Sequence, residues 1–266
     1  MKSLKACISL AAFCVLGMGA ATAAPIGYAI QSDGDDQLYS IDLGTGVATA
    51  IGAVGFDDVE SLAFQPGTGV LFGVDDISDQ LITIDLTTGA GTAVGSLGVS
   101  FTDMGLAFDA TGNLWMATDI PEIFYSIDPL TGAATAVGSQ GQRVTGLVAD
   151  GMTLYGLGGD GTDNLVEIDP TTGAATSIGP LGAGLNVSDG GIAFDGTGTL
   201  WGLEDGGNIF SIDVATGAAT IQASTLSGFE GLAIQATPQV PEPAVLGMLA
   251  VGITGLGLAG WRRRSC

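Results

Sequence analysis

Apolar residues in this chain come in short bursts, and the bursts recur. "SLAF", "GLAF", "GLVA", "GIAF" and "GLAI" begin at positions 61, 105, 146, 191 and 231. A second set, "GYAI", "LFGV", "LWMA", "LYGL" and "LWGL", begins at 27, 71, 114, 154 and 200. A third, "SIDLGTG", "TIDLTTG", "SIDPLTG", "EIDPTTG" and "SIDVATG", places aspartates at 42, 85, 128, 169 and 213, with spacings of 43, 43, 41 and 44. Each Thr-Gly is followed by a small β-prone run such as "AATAVG". Every burst has the length of a strand and is bounded by Gly, Asp or Thr. The pattern therefore predicts four short strands in each repeat.

Four strands in about 40–45 residues make one blade of a β-propeller. We label them A ("GLAF"), B ("LWGL"), C ("YSID") and D ("ATAVG"). Five sets predict an all-β, five-bladed propeller over residues 24–236. The chain enters at strand B, with Tyr28, and leaves at strand A, with Leu232. The last A strand thus pairs with the first B strand and closes the ring. Closure removes the exposed edges that an open solenoid would keep. Alternation along strand C puts Tyr39/Ile41, Ile82/Ile84, Tyr125/Ile127, Val166/Ile168 and Phe210/Ile212 on one face, packed between blades.

Residues repeated in every blade point to structure. Asp42, Asp85, Asp128, Asp169 and Asp213 precede the C–D hairpin, where a carboxylate accepts hydrogen bonds from turn amides. Tyr28, Phe72, Trp115, Tyr155 and Trp201 share one position of strand B, so they pack blade against blade.

Charge adds a different kind of information. The chain carries −22 overall, and residues 24–236 hold 27 acids against one base, Arg143. Such a body repels nucleic acid and anionic membrane surfaces and attracts cations. Many of its acids do not repeat. One group lies in the B–C loops: Asp33, Asp35 and Asp36; Asp75, Asp76 and Asp79; Asp119 and Glu122; Asp160 and Asp163; Glu204 and Asp205. Another precedes strand A: Asp57, Asp58 and Glu60; Asp103; Asp189; Glu230. In a meander, both sets of connections fall on the same face, with the second group near the central channel. Hard oxygen donors at this density suit Ca²⁺, with Glu60, Asp103, Asp189 and Glu230 as candidate ligands. The competing reading is a solvated acidic rim, since "DGDDQ" and "DGTDN" lack the later glutamate of an EF-hand loop.

The catalytic repertoire is narrow. The chain has no histidine, and residues 24–236 have no lysine. Ser-His-Asp and Cys-His sites, histidine metal sites and Schiff bases are thereby excluded from this domain. "GLGGDG" at 156–161 sits in a β repeat with no helix after it, so it is no phosphate loop. No catalytic residue is assigned. The cysteines are Cys7, Cys14 and Cys266, all outside the repeats, so the domain has no disulfide.

Both ends differ from the middle. Residues 1–23 combine Lys2 and Lys5, a short apolar core and Ala21-Thr22-Ala23, the three parts of a secretory signal peptide. Residues 237–243 form an extended Pro-rich linker, 244–261 an apolar stretch and 262–266 a basic end. A helix of about 18 residues rises about 27 Å, enough for a thin membrane span. Arg262, Arg263 and Arg264 act as its cytoplasmic stop by the positive-inside rule.

Val240, Pro241, Glu242 and Pro243, the apolar span and the arginine cluster occur in that order. Together they resemble the PEP-CTERM sorting signal of Gram-negative bacteria. The resemblance implies recognition by an exosortase, a membrane protease. It implies anchoring in the inner membrane before processing, then delivery to the cell surface or the exopolysaccharide matrix. The middle resembles secreted bacterial repeat propellers with "IDxxTG" hairpins, which implies a fold and no activity. The expected function is an exported structural or binding module, with exopolysaccharide as a candidate partner. The alternative is a secreted divalent-metal-dependent hydrolase or lactonase.

Overall fold

The computed structural model describes residues 24–32, 36–159, 163–182 and 184–235. The expected signal peptide, the linker with its sorting motif, the apolar span and the basic end lie outside the described residues, as do Asp33, Asp35 and Asp160. Among the described residues there is no helix long and apolar enough to cross a membrane.

Twenty strands form five antiparallel sheets of four. The first blade contains β1 (Ile26–Gln31), β2 (Gln37–Asp42) and β3 (Ala48–Ala53). The second contains β4 (Val59–Phe64), β5 (Leu71–Asp75), β6 (Gln80–Ile84) and β7 (Gly91–Ser96). The third contains β8 (Met104–Phe108), β9 (Leu114–Thr118), β10 (Ile123–Ile127) and β11 (Ala134–Ser139). The fourth contains β12 (Val144–Asp150), β13 (Thr153–Gly158), β14 (Asn164–Ile168) and β15 (Ala175–Pro180). The fifth contains β16 (Gly190–Phe194), β17 (Leu200–Glu204), β18 (Asn208–Ile212) and β19 (Ala219–Ser224). The last strand, β20 (Phe229–Ile234), joins the first blade in the order β20–β1–β2–β3. Gly27 pairs with Ile234 and Gln31 with Phe229, which closes the ring as the phase of the repeat predicts. The five A strands, β20, β4, β8, β12 and β16, contact one another around the axis.

Blades stack through both faces. The predicted C-strand positions are buried or half-buried, with Ile41, Ile82, Val166 and Phe210 fully so. The opposite face, Leu38, Leu81, Phe124, Leu165 and Ile209, is also fully buried. Each inner blade is a sandwich filling, which is why C strands read "LYSI" or "IFSI" and not as strict alternation. One core cluster joins Leu203 and Ile209 of the fifth blade to Ala29, Ile41 and Phe229 of the first, so closure is apolar as well as hydrogen-bonded. Three of the strand-B aromatics make ring contacts across blades as expected, while Trp115 stacks on Phe124 of its own blade. Tyr28 meets Phe64, Phe72 meets Phe108 and Tyr155 meets Phe194, edge to face at 5.6, 5.2 and 5.8 Å. Trp115 and Trp201 each donate their indole N–H to an aspartate of the preceding turn, Asp109 and Asp195, at 3.0 Å.

The repeated aspartates hold their hairpins. Asp42 accepts from the amides of Gly44 and Thr45, and Asp85 from those of Thr87 and Thr88. Asp128, Asp169 and Asp213 do the same with Leu130, Thr171 and Ala215. The glycine that ends each hairpin has a second task. Gly89 has φ +81°, and a Cβ there would lie 2.3 Å from the carbonyl oxygen of Gly52 in the blade before. The hairpin backbone of one blade thus rests directly on strand D of its neighbour.

Candidate functional site: the acidic channel mouth

Strands A and B are antiparallel, so the residue before A lies opposite the residue after B. This creates one backbone rung per blade around one mouth of the channel. The rungs are Ser32–Gly228, Asp76–Asp58, Asp119–Asp103, Gly159–Arg143 and Asp205–Asp189, with amide to carbonyl distances of 3.0 to 3.3 Å. Three of the five rungs carry two aspartates. Glu230 and Glu60 occupy matching places in the first and second A strands, just inside the mouth.

The chain near Glu60 is pinned by two buried carboxylates that face away from solvent. Asp75 Oδ1 accepts from the amides of Asp57 and Asp58, at 3.2 and 3.1 Å, and its Oδ2 accepts from the amide of Ser78 at 2.9 Å. Asp36 Oδ2 accepts from the amide of Val59 at 3.1 Å, stapling the first blade to the second. A bulge between Val59 and Ser61 sets Glu60 apart from the regular pairing.

All four predicted ligands lie at this mouth. Burial, then the charges of Glu230, Asp103, Asp58 and Asp76, drive the Glu60 carboxyl far above the usual range. Burial, then Asp189 and Asp119, raise Asp103 well above its ordinary value. Burial raises Glu230 to about 7, although it shares a hydrogen bond with Glu60. Asp76 rises to about 7 through burial and the adjacent Asp58. Carboxyls raised as far as Glu60 and Asp103 hold their protons at neutral pH unless a cation takes the proton's place, whereas Glu230 and Asp76 are poised between the two forms.

The tightest convergence is not the predicted set. Ligand oxygens of Asp58, Glu60 and Asp76 lie within 4.8 Å of one another. Of the four predicted ligands Glu60 belongs to this group, and Asp103, Asp189 and Glu230 lie on the other rungs and strands of the same mouth. Asp58 and Asp76 stand out only once β4 and β5 are paired through the bulge. Counting back from the "QPGTG" turn along both strands sets Asp58 opposite Ile77, and only the bulge moves it to Asp76. Arg143 was likewise visible as the lone base, but its role was not. It pairs with Asp119, which is buried, across the blade boundary.

The other end of the axis is different. A cavity of about 580 Å³ is lined by Leu62, Phe64, Leu106, Phe108, Ile192 and Phe194, with Gln65 and Gln235 among its polar walls. The clustered acids of the mouth and this cavity thus lie toward opposite ends of strand A, with Asp195 the one carboxylate among the cavity's lining.

This geometry defines the class as a closed five-bladed β-propeller with one acidic mouth. A chain of the solved nidogen/laminin complex is similar in fold, with a TM-score of 0.56 and 12% identity over 79% of this chain and 98% of that one. No curated protein matches the chain in sequence. The tail is the more specific feature. Residues 239–264 match the PEP-CTERM protein-sorting motif. The protein therefore pairs a β-propeller with the signal of exported proteins that an exosortase sorts toward the surface or exterior.

Proposed function

We infer that the propeller is an exported structural or binding module, delivered by its tail to the cell surface or the exopolysaccharide matrix. The sorting motif at 239–264 carries this reading. In it, residues 1–23 are a cleaved signal peptide and 244–261 a transient membrane span stopped by Arg262–Arg264. Pro241, Glu242 and Pro243 are the recognition element for an exosortase-type protease.

The fold supports a defined orientation. β1 starts and β20 ends at the cavity end of the axis, where Gly27 pairs with Ile234. Both described ends of the propeller therefore lie at the end opposite the acidic mouth. A tail held in the membrane turns the acidic mouth outward, toward matrix polymer.

The test replaces Pro241, Glu242 and Pro243 with alanine in the native host and follows the protein by fractionation. Export should persist, while the unprocessed form should accumulate in the membrane. Unchanged maturation and release would refute the sorting role.

A further inference from the structure

The geometry points to one divalent cation, Ca²⁺, held between Asp58, Glu60 and Asp76 at the acidic mouth. This goes beyond the sorting reading and does not depend on it. The first observation is distance. Oxygens that share a Ca²⁺ at 2.3–2.6 Å lie up to about 5 Å apart across the ion. The three ligand oxygens lie within 4.8 Å of one another and meet that limit without rearrangement.

The second observation is a set of buried oxygens without donors. Asp103, 6% exposed and on the next rung of the same mouth, leaves Oδ2 with no hydrogen-bond partner. Asp76 Oδ1 and Glu230 Oε2 are buried in the same condition. An unanswered buried carboxylate oxygen is costly, and a cation answers several at once. Asp103 forms the neighbouring rung, at the head of β8, which packs beside β4.

The third is a precedent inside the fold. In the third blade one member of the equivalent rung Asp103–Asp119, the carboxylate of Asp119, is answered by a cation, the guanidinium of Arg143. Arg143 is the one basic residue between positions 24 and 236. The second blade carries the same pair of aspartates and gains Glu60. An external cation there would do what Arg143 does next door.

Ca²⁺ fits better than Mg²⁺. The ligands are carboxylates whose backbone is already pinned through Asp75 and Asp36. Ca²⁺ accepts such irregular oxygen sets, whereas Mg²⁺ demands an octahedron and keeps its waters. Glu230 stands near enough to supply a further oxygen or to hold a bound water.

The experiment uses the full-length chain in detergent, stripped with chelator and titrated with CaCl₂ at fixed ionic strength. MgCl₂ and ionic-strength-matched NaCl form parallel arms. One Ca²⁺ should bind per chain and raise the melting temperature, with Mg²⁺ weaker by at least about tenfold. Asp58→Asn/Asp76→Asn should weaken Ca²⁺ binding by at least about tenfold. Asp205→Asn, at the exposed rung of the fifth blade, should change it less than about twofold. The double variant removes repulsion, so it should fold and melt no lower than the parent in chelator. Glu60→Gln, titrated in the same way, gives an independent reading and should also lose affinity. Equal stabilisation by matched Na⁺ would overturn the site. So would equal losses in Asp205→Asn and the double variant.

Discussion

Arg143 of the fourth blade reaches Asp119 of the third, with Nε 3.1 Å from Oδ2. Asp119 is 2% exposed and Arg143 35%, so the acid is buried while its partner still touches solvent. Removing the base leaves a carboxylate with no counter-charge beside Asp103. Arg143→Gln should therefore destabilise the domain by about 2–4 kcal/mol. Asp119→Asn in the same background should recover most of that loss. Urea melts of both single variants and the pair form the cycle. Additive losses would mean that the two side chains act independently.

The hairpin glycines separate two effects that a sequence alone merges. Gly89 and Gly112 both have positive φ, +81° and +88°. A Cβ on Gly112 meets nothing within 4 Å, whereas one on Gly89 meets the carbonyl of Gly52 at 2.3 Å. Gly112→Ala should cost about 1–2 kcal/mol from backbone strain alone. Gly89→Ala should cost about 3 kcal/mol or more, because a neighbouring blade must also move. Equal losses in denaturant melts would show that the blade contact contributes nothing.

The architecture was legible because it repeats. Five copies of "IDxxTG" average out local noise, and their phase against "GLAF" gives away the closing strand. The second buried face of strand C was less legible. Leu38 or Phe124 looks like one more apolar residue until both neighbouring blades are in place. The acidic mouth was legible as a face and not as a site. Its acids differ from blade to blade, so no repeat reveals which of them meet. The bulge at Glu60 shifts the pairing that brings Asp58 to Asp76, and composition carries no trace of it. Arg143 shows the same limit: a single base is easy to count, but its partner depends on which blades adjoin.

Acid should stabilise this domain before it unfolds it. Burial raises Asp36 to about 6, against the amide of Val59 and with help from the charge of Asp58. Between its unfolded value of 3.8 and about 6, the folded state holds the extra proton, so stability falls as pH rises through that window. Asp109 works the other way. Burial raises it, but the hydrogen bonds of Trp115, Thr111 and Asn113 win and lower it to about 2. Its contribution is present above 3.8 and is lost as pH falls toward 2. In chelator at fixed ionic strength, the melting temperature should therefore be higher near about pH 4.5 than at about pH 8. Asp36→Asn should raise the melt at the higher pH and leave the lower one nearly unchanged. A variant that melts lower at both values would contradict this account.

The central claim, that this propeller is exported and then sorted through its tail, is tested most directly by intact mass. The protein is recovered from the outer fractions of its native host and weighed. The prediction is a species well below the 26.4 kDa full chain, lacking residues 1–23 at one end and the apolar span after Pro243 at the other. A full-length mass, found in the cytosol and in no outer fraction, would contradict it.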